Sequence, residues 1–104
     1  MLFRPQPLEI RPLVTKVICV VTDDEILAAK LRSMRVRVAC VLVPCALPSA
    51  GALFATFVMT DVIVDERCAR IESVRDMLGN PDTRFYGAAT SADLVAAARR
   101  ITQS

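Results

Sequence analysis

Short apolar runs alternate along this chain with amphipathic stretches, and the alternation predicts its architecture. Residues 16–34 show it most clearly. Val17, Ile18, Cys19, Val20 and Val21 form an unbroken, mostly β-branched apolar run, which predicts a strand covered on both faces, as in a parallel sheet. Thr22 then precedes Glu25 at the spacing of a capping box. Asp23, Asp24 and Glu25 put negative charge at the positive end of a helix dipole. Ile26, Leu27, Leu31 and Met34 recur at near-helical spacing and are expected to face the sheet.

The pattern continues. Residues 36–43 read as a second strand that Pro44 ends, and residues 58–64 contain a third that runs up to Asp65. Residues 66–78 read as a helix with Cys68, Ile71, either Val74 or Arg75, and Leu78 on one stripe. Gly79 is its expected left-handed cap, and Asn80, Pro81 and Asp82 form a turn. Residues 83–88 are a fourth, edge strand. Thr90 and Asp93 repeat the capping-box spacing ahead of a helix over residues 92–101, with Leu94, Val95, Ala98 and Ile101 inward. Residues 45–60 leave two readings, a short apolar helix over 49–57 or a long strand over 53–64. No charge occurs from residue 38 through residue 60, which raises a membrane span. Pro44, Pro48, Ser49 and Gly51 interrupt that stretch and argue against a span.

Composition narrows the picture. The 104 residues suit one domain, and with 54% apolar but only 5% aromatic residues its core must be built from Val, Ala, Leu and Ile. A net charge of +2 is too small to imply a nucleic-acid partner. Pro5, Pro7 and Pro12 make residues 1–15 an extended arm, anchored by Leu2, Phe3, Leu8 and Ile10. The arm either packs on its own domain or crosses to a second subunit. Residues 16–104 form the single α/β domain. The start carries no signal-peptide pattern, so a cytoplasmic location is expected, with Cys19, Cys40, Cys45 and Cys68 as reduced thiols. Cys40 and Cys45 form no CxxC and no histidine is present, which argues against structural zinc.

Strands alternating with helices imply a small three-layer, doubly wound α/β domain of about four mostly parallel strands with right-handed crossovers. A ligand cleft would lie beyond the carboxyl ends of the strands, where the strand order switches direction. The ends of the first and third strands offer Asp23, Asp24 and Asp65, beside Glu25 and Glu66. Val20-Val21-Thr22-Asp23-Asp24-Glu25 and Asp61-Val62-Ile63-Val64-Asp65 resemble the acidic corner of response-regulator receiver domains, which have a flavodoxin-like fold. The resemblance implies a magnesium ion at Asp23, Asp24 and Asp65, with Asp65 at the phosphoacceptor position. The chain departs from that family in three ways. The 61–65 stretch is one residue shorter, no lysine lies between Tyr86 and Ser91, and one strand–helix unit is missing.

Other chemistry is sparse. No GxGxxG, GxxxxGK[ST] or GxSxG motif occurs, and the absence of histidine removes the commonest general base. Catalysis is therefore not expected. Thr22, Thr90 and Ser91, at helix starts, are the candidate residues for an anion- or nucleotide-binding module. The leading expectation is a non-catalytic interaction or accessory protein that forms a homo-oligomer through an apolar surface. So small a sheet has little area under which to hide the 38–64 run. Leu2, Phe3, Leu53, Phe54 and Phe57 are the expected interface residues. The rival is a receiver-like domain binding a divalent metal or phosphoryl group.

Overall fold

The structure, a computed structural model, describes residues 16–35, 40–78 and 80–103. Four strands, β1 (Lys16–Val21), β2 (Cys40–Cys45), β3 (Asp61–Asp65) and β4 (Arg84–Ala88), alternate with helices α1 (Glu25–Arg32), α2 (Leu47–Thr56), α3 (Ile71–Leu78) and α4 (Ser91–Gln103). All the strand pairings are parallel and the sheet order is β2-β1-β3-β4. The apolar run that opens the alternation is thus an interior strand, and Ile18 through Val21 are fully buried. The order in which strands are added reverses between β1 and β3, as in flavodoxin-like folds.

Alternate residues of each strand feed two cores. Ile18, Val20 and Ile63 meet Leu27 and Leu31 of α1 and Leu94, Val95, Ala98 and Ile101 of α4. Cys19, Val21, Val62 and Val64 meet Ala50 of α2 and Val74 of α3 on the opposite face. Right-handed crossovers explain the division. Stepping from β1 to β2 places α1 on one face, and stepping back across β1 to β3 places α2 on the other. With both faces covered, the central strands read as unbroken apolar runs rather than alternating ones.

Several local expectations shift. Ile26 is 85% exposed, while Leu27, Ala28 and Leu31 are buried. Adjacent helical residues lie about 100° apart round the axis, so Ile26 cannot share the stripe of Leu27 and Leu31. Asp24, not Thr22, caps α1, accepting a hydrogen bond from the Leu27 amide at 3.0 Å. At α4 the expected cap holds, the Asp93 amide donating to Thr90 Oγ1 at 3.1 Å. Pro44 lies within β2, in register with Val20, rather than ending it. An edge strand tolerates proline, because its missing N–H can face away from the ladder. Of the two readings for residues 45–60 the helix holds: α2 begins earlier than expected, with Pro48 in its first turn, where a missing N–H is not required, and ends at Thr56, leaving Phe57 extended.

The third strand starts at Asp61, leaving Val58 exposed before it. Residues 66–68 form a turn, so Cys68 precedes α3 instead of lying on its stripe. The Asp82 amide donates to Asn80 Oδ1 at 3.0 Å, closing the expected turn. Gly79, residues 36–39 and the arm over residues 1–15 lie outside the described residues. Among the described residues no helix is long and apolar enough to cross a membrane.

Candidate functional site at the carboxyl ends of the strands

Parallel strands deliver their carboxyl ends to one edge of the sheet, and here that edge gathers Thr22, Asp23, Asp24 and Asp65. Asp65 is the centre of the group. It closes β3, is fully buried, and collects donors on both oxygens. Thr22 Oγ1 donates to Oδ2 at 2.8 Å. The Arg67 guanidinium donates to both oxygens at 2.9 Å, and the Arg67 amide donates to Oδ1 at 3.1 Å. The Cys68 thiol lies 3.6 Å from Oδ2. Burial pushes the Asp65 carboxyl up. The hydrogen bonds from Arg67 and Thr22, with the charge of Arg67, outweigh that and hold it at about 2.

Arg67 reaches this position because the chain turns sharply after β3, returning the side chain over the carboxylate it has just passed. Its Nη2 also lies 3.9 Å from Asp24 Oδ2, so one guanidinium spans the two acidic strand ends. The Asp65 pair in turn raises the Arg67 pKa above its ordinary value. Thr22 is doubly engaged, donating to Asp65 and accepting from the Asp24 amide at 3.2 Å. The main chain of Asp23 contacts Cys68, its amide lying 3.4 Å from the sulfur.

The expected site residues therefore divide. Thr22, Asp24 and Asp65 come together, but through Arg67 rather than around an open space. A divalent ion sharing Asp24 and Asp65 would have to displace that guanidinium. Among the described residues, no group of three or more metal-ligating side chains is placed to hold a metal ion. The carboxylate set as it stands does not fit magnesium, which needs oxygens free to enter an octahedral shell. Of the anion-binding candidates, the Thr90 hydroxyl is occupied as a helix cap and Ser91 is the first residue of α4.

The concavity at this edge lies to one side of the switch point. At the ends of β1 and β3, Arg67 lies across Asp65 and Asp24. A cleft of about 560 Å³ opens instead towards β2, lined by Thr22, Asp23, Asp24, Glu25, Arg32 and Cys45 among others. Of the interface candidates, Leu53 and Phe54 are half-buried against the second core, and Phe57 is 54% exposed. Leu2 and Phe3 lie outside the described residues.

Two features escaped the reading of the sequence. The Asp65–Arg67 pair is separated by a single residue, and the signal available was an acid closing a buried strand with a base two positions on. The second is a thiol pair, Cys19 and Cys45, whose sulfurs lie 3.4 Å apart. Its trace in the sequence is parity, since both residues fall on the strand face that packs against α2 and α3. Comparison with family models, characterised proteins and solved structures found no match to this chain.

Proposed function

We propose that this domain is a non-catalytic interaction protein of the cytoplasm that self-associates through the outer face of α2 and the adjoining end of α3. One observation carries the reading. Helix α2 contains no charged residue, and its outward positions are small or apolar. Ala52 and Ala55 face solvent, and the helix runs directly into Phe57 and Val58, which is 74% exposed. Met77 of α3, 45% exposed, lies against Gly51, its methyl 3.5 Å from where a Cβ there would sit. Apart from the exposed Ser49 and Thr56, α2 is apolar on every side. An apolar helix belongs in an interior, and within one subunit α2 buries only Ala50 completely. A patch without charge can meet its own copy across a two-fold axis without like-charge repulsion. The acidic corner supports the non-catalytic part of the reading, because its carboxylate is already saturated by internal donors.

Sedimentation equilibrium at tens of micromolar, roughly where a micromolar interface is occupied, tests this. The expected result is a dimer or larger assembly that Phe57→Glu and Val58→Glu dissociate while the circular dichroism is unchanged. A strict monomer overturns the reading. A monomer in which magnesium shifts the amide resonances of Asp23, Asp24 and Asp65 would support the receiver-like alternative in its place.

A further inference from the structure

Cys19 lies in the interior strand β1 and is fully buried. Cys45 is the last residue of the edge strand β2, half-buried, and forms part of the wall of the cleft beside the acidic corner. Parallel register sets Cys45 opposite Val21, one step along the same sheet face from Cys19. The two sulfurs are 3.4 Å apart. The sulfurs must approach by about 1.4 Å to reach the disulfide length of ~2.05 Å. Because Cys45 stands two residues beyond the strand partner of Cys19, roughly 8 Å away between Cα atoms, the end of β2 must also move inward. The remaining thiols point elsewhere. Cys40 directs its sulfur to the Thr102 carbonyl at 3.8 Å, and Cys68 faces Asp65.

We propose that Cys45 and Cys19 form an oxidisable thiol pair that reacts with a small hydroperoxide, Cys45 being the attacked sulfur and Cys19 the resolving one. Access and proton placement both select Cys45. Cys45 is half-buried at the rim of the second core and its residue borders the cleft, whereas Cys19 has no exposed surface. Either sulfur can donate in this contact; with the fully buried Cys19 keeping its proton, the hydrogen bond lowers the Cys45 pKa against a smaller upward push from burial. The same hydrogen bond raises Cys19, and burial and the neighbouring Cys45 charge raise it further. The more acidic, accessible sulfur is the one that supplies a thiolate.

In the first step a sulfur electron pair of Cys45 attacks the terminal oxygen of the hydroperoxide. An S–O bond forms, the O–O bond breaks, and the departing alkoxide or hydroxide leaves as alcohol or water with the Cys45 proton. In the second step the Cys19 sulfur attacks the resulting sulfenic acid. The S–S bond forms, the S–O bond breaks, and hydroxide leaves as water with the Cys19 proton. Two thiols lose two electrons and one peroxide bond gains them. The movement falls on the end of an edge strand, which has a ladder on one side only. The Cys45 carbonyl accepts from the Thr22 amide at 2.9 Å, and the Thr22 hydroxyl donates to Asp65. Closing the disulfide therefore draws on the acidic corner directly.

Hydrogen peroxide applied to the reduced, full-length chain, followed by peptide mapping without reductant, tests the proposal. The expected result is loss of two of the four free thiols and a cross-linked peptide pair containing Cys19 and Cys45. Cys40 falls in the same tryptic peptide as Cys45, so Cys40→Ala must retain the cross-link and Cys45→Ala must abolish it. Cys19→Ala should leave Cys45 as a sulfenic acid that dimedone captures. A disulfide through Cys40 or Cys68, a disulfide between two chains, or an oxidised sample with Cys19 and Cys45 still reduced would overturn the proposal. So would a folded Cys19→Ala chain in which dimedone labels another cysteine instead. If a variant fails to fold, fragment-ion sequencing of the cross-linked peptide from the unmutated chain decides between Cys40 and Cys45.

Discussion

Replacing Asp65 with Asn tests whether the buried carboxylate is held as an ion by its donors. The substitution preserves shape and leaves an oxygen for Thr22, but removes the charge that Arg67 grips at 2.9 Å. In the folded chain Asp65 is held at about 2, against an unfolded value near 3.9. The difference converts to about 2–3 kcal/mol of folding free energy. Arg67 is 43% exposed at its side chain, so solvent and salt screen part of the attraction, and a net effect of about 1–2 kcal/mol is expected. Because the folded pKa is depressed, the contribution is complete above pH ~5 and disappears as pH falls towards ~2.

Asp61 acts in the opposite sense. Its burial raises its carboxyl pKa, partly offset by Arg84 and Lys16. Its contribution therefore favours folding in acid and fades as pH rises through the raised folded value. Both chains carry Asp61, so it cancels in their difference. Urea unfolding followed by far-UV circular dichroism, under reductant, should show Asp65→Asn less stable by about 1–2 kcal/mol at pH 7. The gap should narrow through pH ~4–3 and close only at pH ~2 and below. Equal stability at pH 7, or a gap that persists undiminished in acid, refutes the assignment of Asp65 as a buried, donor-stabilised anion.

Three further outcomes probe the packing. Leu94→Ala removes a fully buried side chain from the α1–α4 core and should cost about 2–5 kcal/mol in urea unfolding; a loss under 1 kcal/mol would mean that α4 does not pack there. Ile26→Lys falls on the solvent side of α1 and should change stability by no more than about 0.5 kcal/mol in thermal melts, whereas a large loss would restore Ile26 to the core. Thr83→Val leaves the Met59 carbonyl without the hydroxyl that donates to it at 2.7 Å. That buried acceptor should cost about 1–3 kcal/mol by chemical denaturation, and an unchanged midpoint would show that water or another donor replaces it.

The sequence by itself determined the layered α/β plan and the central place of β1. A β-branched run with no polar face can be a strand only where both faces are covered, and Ile18 through Val21 satisfy that requirement. It also determined the cap of α4 and the turn at residues 80–82, because those bonds join residues two or three apart. The start of α1 was less legible, since Thr22, Asp23 and Asp24 are all competent caps. Only the tertiary structure made the choice, by drawing the Thr22 hydroxyl to Asp65, 43 positions away.

The same distinction separates the acidic corner from what occupies it. Three aspartates at strand ends are visible in the chain, but whether they enclose a cation depends on where the next turn sends Arg67. The Cys19–Cys45 pair depended on register across two strands, which residue types do not specify when every candidate partner is apolar. Short-range hydrogen bonds and burial patterns are written in neighbouring residues. Contacts across the sheet edge exist only once strand order and register bring distant positions together.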